Sequence, residues 1–302
     1  MRRPAAMTFK ILSDFDGVWT DPEHEARAVL VRFAEELAER TARALHDVLE
    51  DFEFFRAHSE SEPHEHGWTP GGRLTAYADE DPFLAVSGIA SALSRSGDER
   101  ATPYVRALAR ESGVDFMTLA DRAFRAVGAV PGVGALLPEA LDVLEALEAR
   151  GCDLVIVSNS DTSKLVQFFA ARGVHASPDR GARVRVRGLA RKWALGPSDE
   201  HIVVRGRRVL VDRPDYRRIL DEERPDLVVG DVFSLDLALP FHMRATGASG
   251  APATLVHRPP QRPSAWVAGH LEHGHVDAVA PHLRDLVDIV DEARRVRPLA
   301  SR

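Results

Sequence analysis

The chain has 302 residues, of which 44% are hydrophobic and 28% are charged, and its net charge is −7. This composition is typical of a globular protein of about two domains, and the acidic balance argues against a general nucleic-acid partner. No apolar stretch approaches the ~20 residues that span a bilayer, so we expect no membrane partner. Met1–Met7 lacks the apolar segment of a signal peptide, and the single Cys152 excludes an internal disulfide. We therefore expect a cytoplasmic protein.

The first part of the chain predicts one strand followed only by helices. Residues 8–13 form an apolar run typical of a buried strand, and Asp21-Pro22 is a typical helix start. Apolar residues then recur at helical spacing from Leu30 to Phe55. We expect no strand between residues 21 and 135. Further helices are predicted over 82–95, 101–111 and 115–127.

Past Pro131 the pattern changes to strands that alternate with helices, which predicts a parallel sheet with right-handed crossovers. The fold class is therefore α/β, with a Rossmann-like core over 1–20 and 131–302 and an inserted helical domain over 21–130. The run 202–211 is expected to turn at Arg205-Gly206. The other predicted strands are 153–157, 183–187, 226–229, 253–257 and 276–279. The predicted helices are 138–150, 160–172, 214–222, 233–239 (ended by Pro240) and 281–295.

Three predicted strands end in polar side chains of a consistent kind. In an open parallel sheet, ligands bind beyond the carboxyl ends of the strands, so we expect these side chains to share one crevice. Crowded carboxylates favour a hard cation such as Mg²⁺, while serine and backbone amides suit a phosphate. A carboxylate beside both is a nucleophile for phosphorus. The polar segments are Asp14-Phe-Asp16-Gly17-Val-Trp-Thr20, Ser158-Asn159-Ser160, and Gly230-Asp231 with Asp236.

The order and content of these segments resemble the motifs of haloacid dehalogenase (HAD) superfamily phosphatases, and the resemblance covers essentially the whole chain. Asp14 to Thr20 matches the family's first motif, Asp-x-Asp-Gly-hydrophobic-x-Thr after an apolar strand. Val155 to Asn159 matches the second motif, an apolar strand that ends in serine or threonine. Gly230 to Asp236 matches the fourth, Gly-Asp-x-x-x-x-Asp. The resemblance implies that the helical insertion is a cap of the C1 type, which closes over the site.

The resemblance also implies a role for each matched residue. Asp14 is the nucleophile and a ligand of Mg²⁺, and Asp16 is the general acid and base, with its backbone carbonyl on the metal. Asp231 binds Mg²⁺, and Asp236 supports either the metal or the cation of the third motif. The phosphate is held by Ser158 and the amide of Asn159, with Gly17 beside them.

The third motif of the family, a lysine or an arginine, has two candidates. The chain holds only three lysines, Lys10, Lys164 and Lys192. Lys10 lies inside the first strand, and Lys164 lies about a turn too far along the helix after Ser158. We therefore favour Lys192 as this catalytic cation and place Arg213 second.

Among the activities of the family, the residues favour a phosphatase. Dehalogenases lack an acid/base aspartate at the position of Asp16, and a phosphonatase needs a cap lysine, whereas residues 20–135 contain none. We predict Mg²⁺-dependent hydrolysis of a small phosphorylated metabolite by a monomer or homodimer. A phosphotransferase or phosphomutase of the same fold and a non-catalytic binding relative stay open as alternatives.

A polar stretch over residues 58–72 carries histidines and acidic residues that could serve as metal ligands. The histidines are His58, His64 and His66. Because Pro63 and Gly67 interrupt the stretch and no regular element fixes the ligands, we expect a mobile, solvated loop.

Overall fold

The computed structural model describes residues 8–130 and 135–296. The expectation for Met1–Met7 and the predicted domain boundary at residue 131 lie outside this part of the chain. The first part contains one strand, five α-helices and a short strand pair. In chain order these elements are β1 (Phe9–Ser13), α1 (Pro22–Thr41), α2 (Leu45–Ser61), β2 (Gly67–Trp68), β3 (Ala76–Tyr77), α3 (Pro82–Arg95), α4 (Thr102–Leu108) and α5 (Phe116–Gly128).

From residue 135 onward, the chain combines strands and helices as the sequence predicts, although four strands follow one another between Ala176 and Leu210. A π-helical turn, Phe233–Leu237, leads directly into α9. The elements are α6 (Ala140–Ala149), β4 (Cys152–Val157), α7 (Thr162–Ala170), β5 (Ala176–Ser177), β6 (Val184–Arg187), β7 (His201–Val204), β8 (Arg207–Leu210), α8 (Pro214–Glu223), β9 (Leu227–Gly230), α9 (Ala238–Ala245), β10 (Thr254–His257), α10 (Ala265–Ala268), β11 (Ala278–Val279) and α11 (Asp285–Val296).

Seven of these strands form one parallel sheet in the order β11-β10-β9-β1-β4-β6-β5, which confirms the predicted α/β class. The central strands are apolar on both faces because helices cover both sides of the sheet. Ser13, the last residue of β1, pairs with Ile156 on one side and Val229 on the other. The residues that follow these three strands therefore emerge together at one edge of the sheet.

The helical insertion has an apolar core of its own, built around Phe33, Phe52, Phe55 and Tyr104. Its first helix starts as predicted, because the side chain of Asp21 accepts a hydrogen bond from the Glu23 amide (3.0 Å). The expectation of no strand in this region was wrong, since β2 and β3 pair antiparallel. Two-residue strands are too short to produce a periodic pattern in the sequence.

Two predictions in the core need correction. The run 202–211 does turn as expected, but β7 and β8 form a separate antiparallel hairpin outside the main sheet. The helix predicted to end at Pro240 continues to Ala245, because this proline falls in the first turn of α9. Pro240 has no N–H for the carbonyl of Asp236, and the Tyr216 hydroxyl donates to that carbonyl instead (2.9 Å).

Over the described residues, no helix combines the length and apolarity needed to cross a bilayer.

An ion-pair cluster ties α8 to strands β1 and β6 of the sheet. Glu223 lies at the end of α8, is mostly buried, and accepts hydrogen bonds from Arg185 (2.7 Å) and Arg187 (2.9 Å) of β6. Lys10 of β1 lies 3.3 Å from the same carboxylate. Burial opposes the negative charge, but the arginine hydrogen bonds outweigh it and lower the pKa of Glu223 to about 2.

We expect Glu223→Gln to destabilise the fold by about 2 kcal/mol at neutral pH, after allowance for solvent screening of the partly accessible pairs. Because the folded pKa lies below the ordinary value of 4.5, this contribution is present above pH 4.5. It is lost as the pH falls toward 2. Urea unfolding at pH 7 and pH 3 checks this: the difference between wild type and variant should shrink at pH 3, and a constant difference would contradict the assignment.

Candidate active site

Asp14 continues β1 beyond its last sheet residue, and its backbone position is fixed by the neighbouring strand. The Asp14 amide donates to the carbonyl of Val229 in β9 (2.9 Å), and its side chain is largely buried. Asp231 follows β9 and Ser158 follows β4, so the three strand ends converge as the sequence predicts. The register of the parallel sheet is therefore what brings residues more than 200 positions apart into one site.

Lys192 lies at the centre of this cluster. Its Nζ is 2.5 Å from Asp14 Oδ1 and 2.5 Å from Asp236 Oδ1, and its side chain is 2% exposed. Its backbone N–H donates to Asn159 Oδ1 (2.8 Å), which holds the turn after β6 against the end of β4. Burial opposes the charge of Lys192, but Asp14 and Asp236 together raise its pKa, so the ammonium stays protonated.

Arg213, the second predicted cation, does not present its charge to the carboxylates. It is fully buried and donates to three backbone carbonyls, those of Leu210 (3.2 Å), Lys192 (2.5 Å) and Thr75 (2.8 Å). The structure therefore assigns Arg213 to holding the Lys192 backbone and the segment before β3 of the helical insertion. Of the two sequence candidates, only Lys192 touches the site carboxylates.

Asp231 and Asp14 together could hold a divalent cation. Oxygen atoms of Asp14, Asp231 and Asp236 lie within 4.8 Å of one another. Asp236 already accepts from Lys192 and from the Val232 amide (3.1 Å), so its carboxylate supports the lysine rather than an ion. Burial raises the pKa of Asp14 to about 7 although Lys192 opposes the shift; burial and the neighbouring carboxylates raise that of Asp231 as well. The buried carboxylates of Asp14 and Asp231 repel each other and offer only oxygen donors, and both properties favour Mg²⁺.

Gly17 lets Asp231 approach the loop after β1. Its φ of +74° is in the left-handed region, and a Cβ placed there would lie 1.9 Å from Asp231 Oδ2. Its N–H donates to Thr20 Oγ1 (3.2 Å), and its carbonyl accepts a hydrogen bond from Arg258. The sequence argument expected Gly17 to contact phosphate. The structure shows that the lack of a side chain at Gly17 gives the Asp231 carboxylate its space.

We expect Gly17→Ala to weaken Mg²⁺ binding by about 10–100-fold, because the new methyl group displaces Asp231. Gly71→Ala is the matched control, since Gly71 has a similar φ of +67° but nothing within 4 Å of the added Cβ. Calorimetric titration with Mg²⁺ checks this, and equal affinities for the two variants would contradict the role given to Gly17.

Asp16 lies across the site beside two serines. Its Oδ2 accepts from Ser160 Oγ (3.0 Å) and faces Ser158 Oγ at 3.4 Å, and Ser160 N donates to Ser158 Oγ (3.0 Å). The side chain of Asp16 is only half-buried, so a ligand can reach it. The sequence argument placed Ser160 at this strand end but gave it no role; the structure shows its hydroxyl holding the Asp16 carboxylate.

The cavity over Asp14 continues into the helical insertion, whose contribution to its wall is mainly apolar and aromatic. Two carboxylates, Asp81 and Asp121, also line it, and Trp68 Nε1 donates to Asp121 Oδ1 (3.2 Å). Among the residues that the structure describes, the insertion contributes no cation to this wall. The apolar members are Val29, Trp68, Phe83, Leu84, Val86, Ala120 and Phe124. Sequence reasoning missed these residues because it could not show which side chains of the insertion face the cavity.

The solved structures to which the chain is similar are distant from it in sequence. No family model and no curated protein matches the chain. A 2-haloacid dehalogenase from Pseudomonas syringae pv. Tomato DC3000 is 17% identical at a TM-score of 0.41, with 95% of this chain and 99% of that chain covered. A hydrolase from Pseudomonas syringae is 16% identical (TM-score 0.46; 98% and 100% covered), and a haloacid dehalogenase-like family hydrolase from Xanthomonas campestris is 12% identical (TM-score 0.46; 98% of each). Over nearly its whole length the chain is similar to such hydrolases, a likeness that by itself assigns no activity.

Proposed function

We propose that this protein is a Mg²⁺-dependent phosphatase of the HAD superfamily that hydrolyses a small phosphomonoester through an aspartyl-phosphate on Asp14. The observation that carries the proposal is the placement of Lys192 between Asp14 and Asp236, with the carboxylate of Asp231 in the same cluster. An arrangement of this kind suits a nucleophile that attacks an anionic phosphoryl group.

The proposed reaction has two steps, both in the crevice above β1. First, a carboxylate oxygen of Asp14 attacks phosphorus, the bond to the leaving oxygen breaks, and Asp16 gives that oxygen its proton. Second, Asp16 takes a proton from water, the water oxygen attacks phosphorus, and the bond to Asp14 breaks to release inorganic phosphate. Lys192, Ser158 and the amide of Asn159 neutralise and orient the phosphoryl oxygens. Asp14 and Asp231 would hold Mg²⁺, which would supply further positive charge to those oxygens.

The surroundings of Asp16 favour a phosphatase over a dehalogenase. A leaving alkoxide needs a proton, whereas a halide leaves without one, and Asp16 is held for this task by Ser160. The half-buried position of Asp16 also leaves it accessible to the water of the second step.

The test is release of inorganic phosphate from a panel of phosphomonoesters, with Mg²⁺ and with EDTA, beside halide release from 2-haloacids. Mg²⁺-dependent phosphate release without halide release supports the proposal. Halide release alone would replace it by a dehalogenase. Transfer of the phosphoryl group to an added alcohol, faster than to water, would replace it by a phosphotransferase.

The polarity of the cavity predicts which leaving groups are preferred. The described residues of the insertion that line the cavity are mainly apolar and include Asp81 and Asp121 but no cation, so a second anionic group on the substrate meets an unfavourable field. We expect kcat/KM for phenyl phosphate to exceed that for a phosphoglycerate by at least about tenfold. Asp121→Asn should bring the kcat/KM values for the two esters closer together. Equal kcat/KM values for the two esters in the wild type would contradict this prediction.

A further inference from the structure

The polar stretch was expected to have no regular element that could fix metal ligands, and that expectation was wrong. Helix α2 extends to Ser61, and the Glu62 amide still donates to the carbonyl of His58 (3.3 Å). His66 directly precedes β2, and its carbonyl accepts from the Ala78 amide (3.0 Å). Both ends of the segment therefore have a framework that can fix side chains.

Three potential metal ligands meet at this place. His58 lies in the last turn of α2, and Glu62 is the residue that directly follows the helix. The rings of His58 and His66 lie 5.4 Å apart between centroids. One ligand atom from each of His58, Glu62 and His66 lies within 4.8 Å of the other two.

His66 supplies an independent sign that a ligand is missing. The residue is 2% exposed, and its Nδ1 lies 3.2 Å from Ser91 Oγ in α3. Its Nε2 is buried, and no residue that the structure describes provides a hydrogen-bond partner for it. A buried polar atom without a partner costs about 1–3 kcal/mol, so native structures rarely leave one unsatisfied. An ion held by Nε2 would satisfy it, while Ser91 fixes the ring from the other side.

We propose that His58, Glu62 and His66 form a second metal site, which takes a transition ion of the Zn²⁺ class. Two imidazoles and one carboxylate form a donor set that suits Zn²⁺ and is poor for Mg²⁺, which prefers oxygen ligands. The site therefore differs in chemistry from the all-oxygen cluster of Asp14 and Asp231. The proposal does not depend on the function proposed for that cluster.

The position of this site gives it a structural role. A bound ion would join the end of α2 to β2, and β2 carries Trp68, part of the cavity wall. Arg95 and Glu65 pair with each other beside the site (3.1 Å). We expect the ion to stabilise the helical insertion and hold Trp68 in place, because binding to the folded state alone raises stability.

The experiment is calorimetric titration of the full chain with Zn²⁺ in excess Mg²⁺, which fills the all-oxygen cluster. Co²⁺ serves as a visible-absorption probe of the nitrogen ligands. The variants are His58→Gln and Glu62→Gln, chosen because both side chains are at least partly accessible and neither substitution opens the core. His64→Gln is the matched control, since His64 is a neighbouring histidine outside the cluster with a 60% exposed side chain.

We expect one Zn²⁺ per wild-type chain, with affinity reduced at least about tenfold in His58→Gln and Glu62→Gln and unchanged in His64→Gln. Zn²⁺ should raise the melting temperature of the wild type and of His64→Gln but not of the other two. Melting without metal checks that all variants are folded. Absence of stoichiometric Zn²⁺ binding by the wild type, or equal binding by all four proteins, overturns the proposal. Equal binding would identify the ion as an adventitious surface ligand.

Discussion

Replacing Asp14 by asparagine is expected to abolish turnover of p-nitrophenyl phosphate, with a fall in kcat of at least about 10⁴-fold. The asparagine amide cannot form the aspartyl-phosphate, and the substitution removes a carboxylate oxygen that Lys192 contacts at 2.5 Å. The fold should survive, because Lys192 keeps its bond to Asp236. The substitution also removes a buried carboxylate with a raised pKa, so the melting temperature should be unchanged or higher.

Asp21→Asn is the control for this experiment. Asp21 is exposed near the same segment, and asparagine caps a helix about as well as aspartate. This variant should retain both activity and stability. A folded Asp14→Asn protein with more than a few per cent of wild-type kcat would rule out Asp14 as the nucleophile.

Replacing Lys192 and Arg213 separately by methionine should lower the stability of the protein in both cases but should lower kcat strongly only for Lys192→Met. Lys192→Met leaves Asp14 and Asp236 buried beside each other without a cation, so we expect kcat to fall by about 10³-fold. The same unpaired charges should lower stability by about 3–5 kcal/mol. Lys192→Arg, which keeps the charge, should recover part of the stability.

Arg213→Met removes a donor from three backbone carbonyls and should destabilise the protein by a few kcal/mol, at about 1 kcal/mol for each lost bond. Its kcat, measured well below its melting temperature, should stay within about tenfold of wild type because the charge does not reach the phosphate. The measurement is kcat beside a thermal melt for both variants. A larger loss of kcat per folded molecule in Arg213→Met than in Lys192→Met would reverse the assignment of the two cations.

The positions of Asp14, Ser158 and Asp231 could be predicted because parallel strands carry their carboxyl ends to one edge. The apolar strands before these residues can be recognised in the sequence. The register of β1 with β4 and β9 then places the ends of the three strands side by side. Lys192 was identifiable mainly because lysine is so rare in this chain. The sequence could not show that the Arg213 guanidinium donates to backbone carbonyls instead of the site carboxylates, since that difference arises from tertiary hydrogen bonds.

The helices of the insertion could be predicted from the sequence, but the side chains that they present to the site could not. Periodicity located α3 at its observed bounds, yet it did not show which side chains of α3 and α5 face Asp14. The pair β2 and β3 is held by only a few hydrogen bonds and by packing, which leave no pattern in sequence. The same pair fixes His66, so the ligand cluster at the end of α2 could not be recognised without the tertiary structure.

The central claim, that Asp14 becomes transiently phosphorylated, is tested most directly by trapping the intermediate. Asp16→Asn should slow the water step, while p-nitrophenyl phosphate, whose phenolate leaves without a proton, still allows the first step. Rapid acid quenching after mixing with p-nitrophenyl phosphate and Mg²⁺ should therefore preserve the aspartyl-phosphate. Mass spectrometry is then expected to find one phosphoryl group per chain on the peptide that contains Asp14, and none when EDTA replaces Mg²⁺. A phosphoryl group on another residue, or phosphate release with no enzyme-bound phosphoryl group at any quench time, would contradict the claim.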